Sequence, residues 1–516
     1  MMTILWVDDE IESLQSQKLF LESKGYKVYT LTNGFDAIDF VKENEVDVVL
    51  MDETMPGITG LETLAKIKEV NQQIPVVLIT KNEEENLMDD AIGSQISDYL
   101  IKPVNPNQVL LSLKKLFDNK RLVAEKTTSA YQQQFRNLFM VLNSNPDHRE
   151  WRGIYEKLVF WELEMEKSDS PEMQEVLQTQ KQEANTEFFK FISKNYPKWL
   201  ESGATDKPIM SHTLFREKVL PVINAETSTF FVLIDNLRFD QWKAIQPLFT
   251  QHFKIVEEDT FYSILPTATQ YCRNAIFAGM MPLDIEKLFP AQWRNDDDEG
   301  GKNLFEEEFF RHQLKRLRRE DIRFSYTKVL NHNDGNNLVN NIHNLLNNHL
   351  NIIVYNFVDM LSHARTEMEV LKELASDEAS YRSITASWFE HSPLNQALKK
   401  IADKKINLVL ATDHGSVRVN TPYKVIGDKQ TTTNLRYKHG RNLNYDPKDV
   451  LAFRQPKDIG LPSPTFNSSF IFAREDGYLC YPNNYNHFVN YYRNTFQHGG
   501  VSLEEMIVPV VKMTGK

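Results

Sequence analysis

The sequence predicts a multidomain α/β protein: an N-terminal doubly wound domain, a helical bundle in the middle, and a larger C-terminal α/β domain. Three observations carry this. Short apolar runs alternate with amphipathic segments over residues 1–118, residues 119–205 show only helical spacing, and from 206 to 516 the alternation returns on a larger scale. A chain of 516 residues has room for two to four domains with large cores. The formal net charge of −12 argues against a general nucleic-acid coat. No run of ~20 apolar residues appears, and the Met1-Met-Thr-Ile-Leu-Trp6 start has neither a basic region nor a cleavage site, so no membrane span or signal peptide is expected. Only two cysteines, Cys272 and Cys480, are present, which fits a reducing cytoplasm and excludes a disulfide framework.

In the first domain each apolar run delivers a polar group at its end. Thr3–Val7 leads to Asp8 and Asp9, Val46–Met51 to Asp52, Pro75–Ile79 to Thr80, and Asp98–Ile101 to Lys102-Pro103. A carboxylate attacks a phosphoryl group only when the incoming charge is neutralised, which calls for a divalent ion and a nearby cation such as Lys102. The alternative is a flavodoxin-like fold whose acidic loop ends bind nothing. The order of these residues resembles the receiver domain of response regulators. That resemblance implies that Asp52 is the phospho-acceptor, that Asp8 and Asp9 hold Mg²⁺, that Thr80 and Lys102 read the phosphoryl oxygens, and that Tyr99 is the aromatic switch.

From about 107 to 203 aromatics and leucines recur three and four apart, as in Ala130–Leu142 and Trp151–Met165, with helix punctuation at Asn143-Ser-Asn-Pro146 and Ser168-Asp-Ser-Pro171. Three or four packed helices are expected. The aromatic stripe of Phe135, Phe139, Trp151, Phe160 and Trp161 reads as core, with a docking surface as the alternative.

The C-terminal domain repeats the pattern of strands ending in metal-type ligands. Ser228–Ile234 ends on Asp235, Asn351–Val358 on Asp359 with His363 a turn later, and Leu408–Thr412 on Asp413 and His414. His498-Gly-Gly precedes the last apolar strand. Six such ligands suit two ions better than one. Context separates them from Asp147-His148, which comes after no strand and lies in a polar, helix-flanking stretch. Pro266-Thr-Ala-Thr269 opens an apolar helical run closed by Gly279, and a hydroxyl at a helix start gains from the dipole. Taken alone the motif is also an ordinary helix cap.

These residues in this order resemble the alkaline phosphatase superfamily, most closely its PglZ branch. The resemblance implies two Zn²⁺, one held by Asp235, Asp413 and His414 beside the Thr269 oxygen, the other by Asp359, His363 and His498. It further implies a Thr269 nucleophile, with Thr267 as runner-up, because Pro-Thr-Ala-Thr looks like the Pro-Thr-Lys-Thr of nucleotide phosphodiesterases. Arg273, a turn beyond Thr269, either reaches a phosphate oxygen or is an exposed helix charge. The loop Asn295–Gly301 reads as a mobile acidic excursion, and residues 424–441 as either a basic, aromatic patch for a nucleotide or oligonucleotide or a plain exposed loop.

The whole order of receiver, helical bundle and PglZ-like domain resembles PorX-type response regulators of type IX secretion and gliding. That implies a sensor histidine kinase upstream and homodimer formation on phosphorylation. There is no helix-turn-helix or basic recognition helix, so output through direct DNA binding is not expected. Two functions compete: a zinc-dependent phosphodiesterase, and a non-enzymatic regulator whose zinc-containing domain docks a sigma factor, another transcription factor or a secretion component.

Overall fold

The computed structural model describes residues 2–71, 74–81, 96–168, 171–296, 298–367, 377–428, 432–463 and 467–516, without the side chains of 115, 117–130, 168, 171, 172 and 363–367. The chain forms two compact units, Met1–Ala130 and Tyr131–Lys516.

In the first unit five strands make one sheet in the order second, first, third, fourth, fifth. In chain order they are Thr3–Val7, Lys27–Leu31, Val48–Asp52, Val76–Thr80 and Asp98–Ile101. All pairings are parallel. Each inner strand is covered on both faces, which is why Val48–Asp52 and Val76–Thr80 read as unbroken apolar runs. Leu5, Val7, Val49, Met51 and Val76 enter one core, and Ile4, Trp6, Val48, Leu50 and Val77 enter the other. Asn33 caps the helix Gly34–Glu43, and Thr59 with Glu62 forms a capping box on Gly60–Val70. Gly60 permits a close approach, since a Cβ there would lie 2.2 Å from the Asp52 carbonyl oxygen.

The second unit is built on a six-stranded sheet in the order Phe253–Tyr262, Ile507–Gly515, Asn407–Ala411, Thr229–Ile234, Leu350–Tyr355, Phe324–Val329. The last four of these run parallel, so their carboxyl ends share one edge. Ile507–Gly515 runs antiparallel to both neighbours, which places its start at that edge and, pairing Ile507 with Tyr262, the end of Phe253–Tyr262 there too. The residues after five strands and before the sixth therefore converge. Smaller two- and three-stranded sheets fill the chain between Val417 and Gln497.

The helices His148–Ser168 and Pro171–Leu200 come after the end of a long helix, Pro106–Leu142. One continuous core runs from Tyr131 through Trp151, Phe188 and Trp199 to the sheet residues Phe230–Ile234 and Met513. Phe188 stacks on Tyr262 with ring centroids 6.4 Å apart, and Trp199 meets the same ring edge-on at 5.3 Å. Burying such side chains stabilises by roughly 1.5–3 kcal/mol each. Buried charges cross the same boundary: Arg382 reaches Glu162 at 2.6 Å and Asp240 at 2.7 Å, and Lys181 reaches Glu162 at 2.6 Å. Of the aromatic stripe, Trp151 and Trp161 are core and Phe135 is partly buried, whereas Phe139 and Phe160 are half exposed. Among the described residues no helix is long and apolar enough to cross a membrane.

Candidate functional site

In the first unit, Asp8, Asp9 and Asp52 cluster at the carboxyl edge of the sheet. Lys102 Nζ lies 2.9 Å from Asp8 Oδ2 and 3.0 Å from Asp52 Oδ2, while Asp8 and Asp52 are buried and Asp9 is exposed. Burial, the main cause, and the neighbouring Asp8 charge push the Asp52 carboxyl up, against the Lys102 hydrogen bond. This cluster of carboxylates with one ammonium has the donor set of a hard-cation site. Thr80 Oγ1 donates to Glu53, and Tyr99 is exposed on the fifth strand.

In the second unit the converging edge assembles Asp235, Thr269, Asp413 and His414. One ligand atom each from Asp235, Asp413 and His414 lies within 4.8 Å of the others, and all three residues are fully buried. Asp413 Oδ1 accepts from the Asn236 and His414 amides at 3.1 and 3.0 Å, whereas its Oδ2 has no hydrogen-bond partner among the described residues. Burial and the Asp235 charge push the Asp413 carboxyl well up. An orphaned carboxylate oxygen between a second carboxylate and an imidazole is what a divalent cation fits. His414 Nδ1 is 3.0 Å from the Gly415 carbonyl oxygen, an acceptor only, so Nδ1 carries the proton and Nε2 offers its lone pair to the cluster. Gly415 is required there, because a Cβ would lie 2.0 Å from the Glu504 carbonyl oxygen.

Thr269 is the first residue of the helix Thr269–Ala278, whose N-cap is Ala268 without a side-chain cap. Its hydroxyl is turned to the cluster instead of capping, 3.0 Å from His414 Nε2 and 3.3 Å from Asp235 Oδ1. Thr267 is different. Its hydroxyl donates to the Gly500 carbonyl at 3.0 Å and accepts from Gly499 N at 3.0 Å, and its carbonyl accepts from His498 Nδ1 at 3.1 Å. Thr267 thus holds the His498-Gly-Gly loop. His498 Nε2 lies 3.6 Å from Asp359 Oδ1, and its ring stacks on that of His414 at 4.2 Å. His363 belongs to the helix Phe357–Glu367, but its side chain lies outside the described residues.

Arg273 is not an exposed helix charge. It is 1% exposed and its guanidinium is committed to Asp235 Oδ2 at 2.5 Å, Asn356 Oδ1 at 3.0 Å and both Glu306 oxygens at 2.7 and 2.8 Å. It orients Asp235 and balances its charge. The fold also corrects two other expectations. Asp296, in the acidic loop, accepts hydrogen bonds from Tyr271 at 2.9 Å and Tyr437 at 3.1 Å, so that part of the loop is docked; Asp297 lies outside the described residues. In the 424–441 segment Arg436 and Lys438 are buried, which removes two of its five cations from any surface patch, while Lys424 and Arg441 are exposed and Lys429 lies outside the described residues. Arg436 instead pairs with buried Glu505 at 2.6 Å, and Glu505 Oε1 accepts from Gly500 N at 2.9 Å. Glu306 and Glu505 went unread in the sequence, although Glu504-Glu505 interrupts an apolar run and so carried a signal.

Three family models match the chain: a response regulator receiver domain at residues 4–114, a PorX response regulator linker domain at 121–200, and a BREX system PglZ alkaline phosphatase-like domain at 214–513. The transcriptional regulatory protein ZraR of Klebsiella oxytoca is 35% identical over 132 residues, which is 26% of this chain and 30% of that protein. The phosphoglycerate transport system transcriptional regulatory protein PgtA of Salmonella typhimurium is 31% identical over 121 residues, 23% of this chain and 29% of that protein. The chain thus spans less than a third of the length of these curated relatives. A CheY-like receiver domain structure from Methanospirillum hungatei is 25% identical, covering 23% of this chain and 95% of that one with a TM-score of 0.22.

The molecule is a two-component response regulator with an alkaline phosphatase-like effector part. It belongs to the PglZ family, whose model covers more than half of it, in the PorX-type order of receiver, linker and PglZ domain. Receiver domains bind Mg²⁺ and take their phosphoryl group from a histidine kinase, and alkaline phosphatase-like domains bind metal ions.

Proposed function

We propose that phosphorylation of Asp52 controls a zinc-dependent phosphodiesterase in the PglZ domain, with Thr269 as nucleophile and a nucleotide or oligonucleotide as substrate, in the regulation of type IX secretion and gliding. The observation that carries this reading is the Thr269 hydroxyl, at the positive end of a helix and 3.0 Å from His414 Nε2 beside two buried carboxylates. Asp235, Asp413 and His414 would hold one zinc, and Asp359 and His498, with His363, the other. Bound there, zinc supplies a Lewis acid that lowers the pKa of a coordinated hydroxyl or water. Thr269 Oγ attacks phosphorus in line, the P–O bond to the leaving alcohol breaks, and water then cleaves the phosphothreonine ester. Arg273 keeps Asp235 aimed, and the Thr267–Gly500 hydrogen bond keeps His498 in place. The helix dipole at Thr269 favours the developing negative charge.

The test is hydrolysis of bis(p-nitrophenyl) phosphate and p-nitrophenyl phosphate by the zinc-loaded full chain, before and after an acyl phosphate. Diester turnover that exceeds monoester turnover, changes with the acyl phosphate and is lost in Thr269→Ala with metal retained supports the proposal. Bound zinc with neither ester turned over sinks it in favour of docking to a sigma factor or secretion component.

A further inference from the structure

Asp359 and His498 come together from two elements far apart in the chain. Asp359, like His363, belongs to the helix Phe357–Glu367, whereas His498 follows the short strand Phe496–Gln497. That strand pairs antiparallel with Val417–Arg418, Val417 opposite Gln497 and Arg418 opposite Phe496, so the His498 loop hangs from the segment that begins with Asp413 and His414. A helix spends its backbone groups on itself, so Phe357–Glu367 is set against the loop by side chains.

Two buried hydroxyls do this. Ser362, at i+3 from Asp359 and so on its side of the helix, is 3% exposed and donates from Oγ to the Phe496 carbonyl at 3.0 Å. Tyr381, fully buried on the helix Glu378–His391, donates from its hydroxyl to the Val358 carbonyl at 3.4 Å. Its ring stacks on Phe496, with centroids 4.1 Å apart and planes 17° apart. Burial, the main cause, and the Asp359 charge push the Tyr381 phenol pKa up, so the ring keeps its proton as a donor. Phe496 is thus held by its carbonyl from Ser362 and on its face by Tyr381, two residues before His498.

Arg238 closes the stack. Its guanidinium lies 5.0 Å from the Phe496 ring and 5.7 Å from the Tyr381 ring, and is anchored by Asp240 and Glu378. Its stem passes Gly415, where a Cβ would lie 3.3 Å from Arg238 Cγ. One side chain therefore lies against the glycine that follows His414 and the aromatic ring that precedes His498. Ligands ~2.0 Å from a tetrahedral zinc stand about 3.3 Å apart. His498 Nε2 and Asp359 Oδ1 are held at 3.6 Å.

We propose that Ser362 and Tyr381 are positioning residues for the second zinc position: through Phe496 they hold the Asp359 helix against the His498 loop, and so set the affinity for that ion. The inference rests on the two-ion reading above. Removing a partner that stands behind metal ligands weakens metal binding by roughly 10–100-fold.

The test strips the full chain with a chelator and titrates it with Zn²⁺ in competition with a chromogenic chelator. The wild type is expected to take up two ions and Asp359→Asn to weaken one of them, which identifies the second position. Ser362→Ala and Tyr381→Phe each remove a single hydroxyl. Measured separately each weakens that same ion severalfold, and together at least tenfold, while the affinity for the other ion stays within twofold. A double variant that binds the second ion as the wild type does, or that weakens both ions alike, overturns the proposal and leaves the two-ion reading standing. A wild type that takes up a single ion, or an Asp359→Asn protein that holds both unchanged, overturns that reading and this inference with it.

Discussion

The Arg436–Glu505 pair makes a sharp test of how the His498 loop is held. Both side chains are 0% exposed, and Glu505 accepts from Arg436 Nη2 at 2.6 Å and Nε at 3.1 Å, from Ser502 Oγ at 2.7 Å and from Gly500 N at 2.9 Å. Glu505→Ala strips the guanidinium of its counter-charge in a site water does not reach, and leaves the Gly500 N–H unmade. Breaking a buried pair in this way costs about 3–5 kcal/mol. Glu505→Gln keeps an acceptor for Gly500 and loses only the charged component, for about 1.5–3 kcal/mol. Replacing both partners, Arg436→Met with Glu505→Leu, removes the uncompensated charge and recovers at least half of the loss. Urea unfolding monitored by tryptophan emission reads the wild type, these three variants and the singles Arg436→Met and Glu505→Leu. A loss below ~1 kcal/mol for Glu505→Ala, or a double variant as unstable as the sum of the singles, would refute the account of the pair as a buried, mutually compensating clamp.

The geometry sets four other outcomes. Lys438 is 1% exposed, and burial pushes its ammonium pKa down to about 7, so between pH 7 and the unfolded value near 10.5 the unfolded chain binds the extra proton and stability rises with pH. Lys438→Met is accordingly expected to stabilise at pH 7 by about 2–4 kcal/mol and to flatten that rise, as read from the difference in unfolding free energy between the two proteins at pH 7 and pH 9.5. Gly415→Ala pushes a methyl into the Glu504 carbonyl and costs about 1–3 kcal/mol by the same measurement, with loss of bound metal. Asp52→Asn abolishes phosphoryl transfer from a labelled acyl phosphate, because the amide is no nucleophile. Chelation lowers the unfolding temperature of the wild type, and by less in Asp413→Asn, which lacks a ligand of one of the two zinc positions, since a site saturated at a hundred times its Kd contributes roughly 2.7 kcal/mol.

Much of the site was legible because parallel strands buried on both faces show as apolar runs, and the sheet places the residue at the end of each run. Asp52, Asp235 and Asp413 were readable for that reason. The strand Lys27–Leu31 was not, since its edge position leaves Tyr29, Thr30 and Leu31 half buried and breaks the run. Nor was the fate of Arg273 and Arg436, because a buried ion pair depends on a partner 33 or 69 residues away that no local period announces. The acidic loop misled for a related reason: charge density says solvent, and only the fold brings Tyr271 and Tyr437 to Asp296.

Asn185, on the helix Pro171–Leu200, donates from Nδ2 to Glu504 at 3.1 Å and accepts from Leu503 N at 2.8 Å, gripping the turn that leads into the last strand. With the shared aromatic wall of Phe188, Trp199 and Tyr262, this makes the linker helices a fixed part of the effector's frame. A gene fragment cut at residue 206 would leave that wall facing water and the final turn without its anchor. In this chain the PglZ portion depends on its linker helices for part of its core.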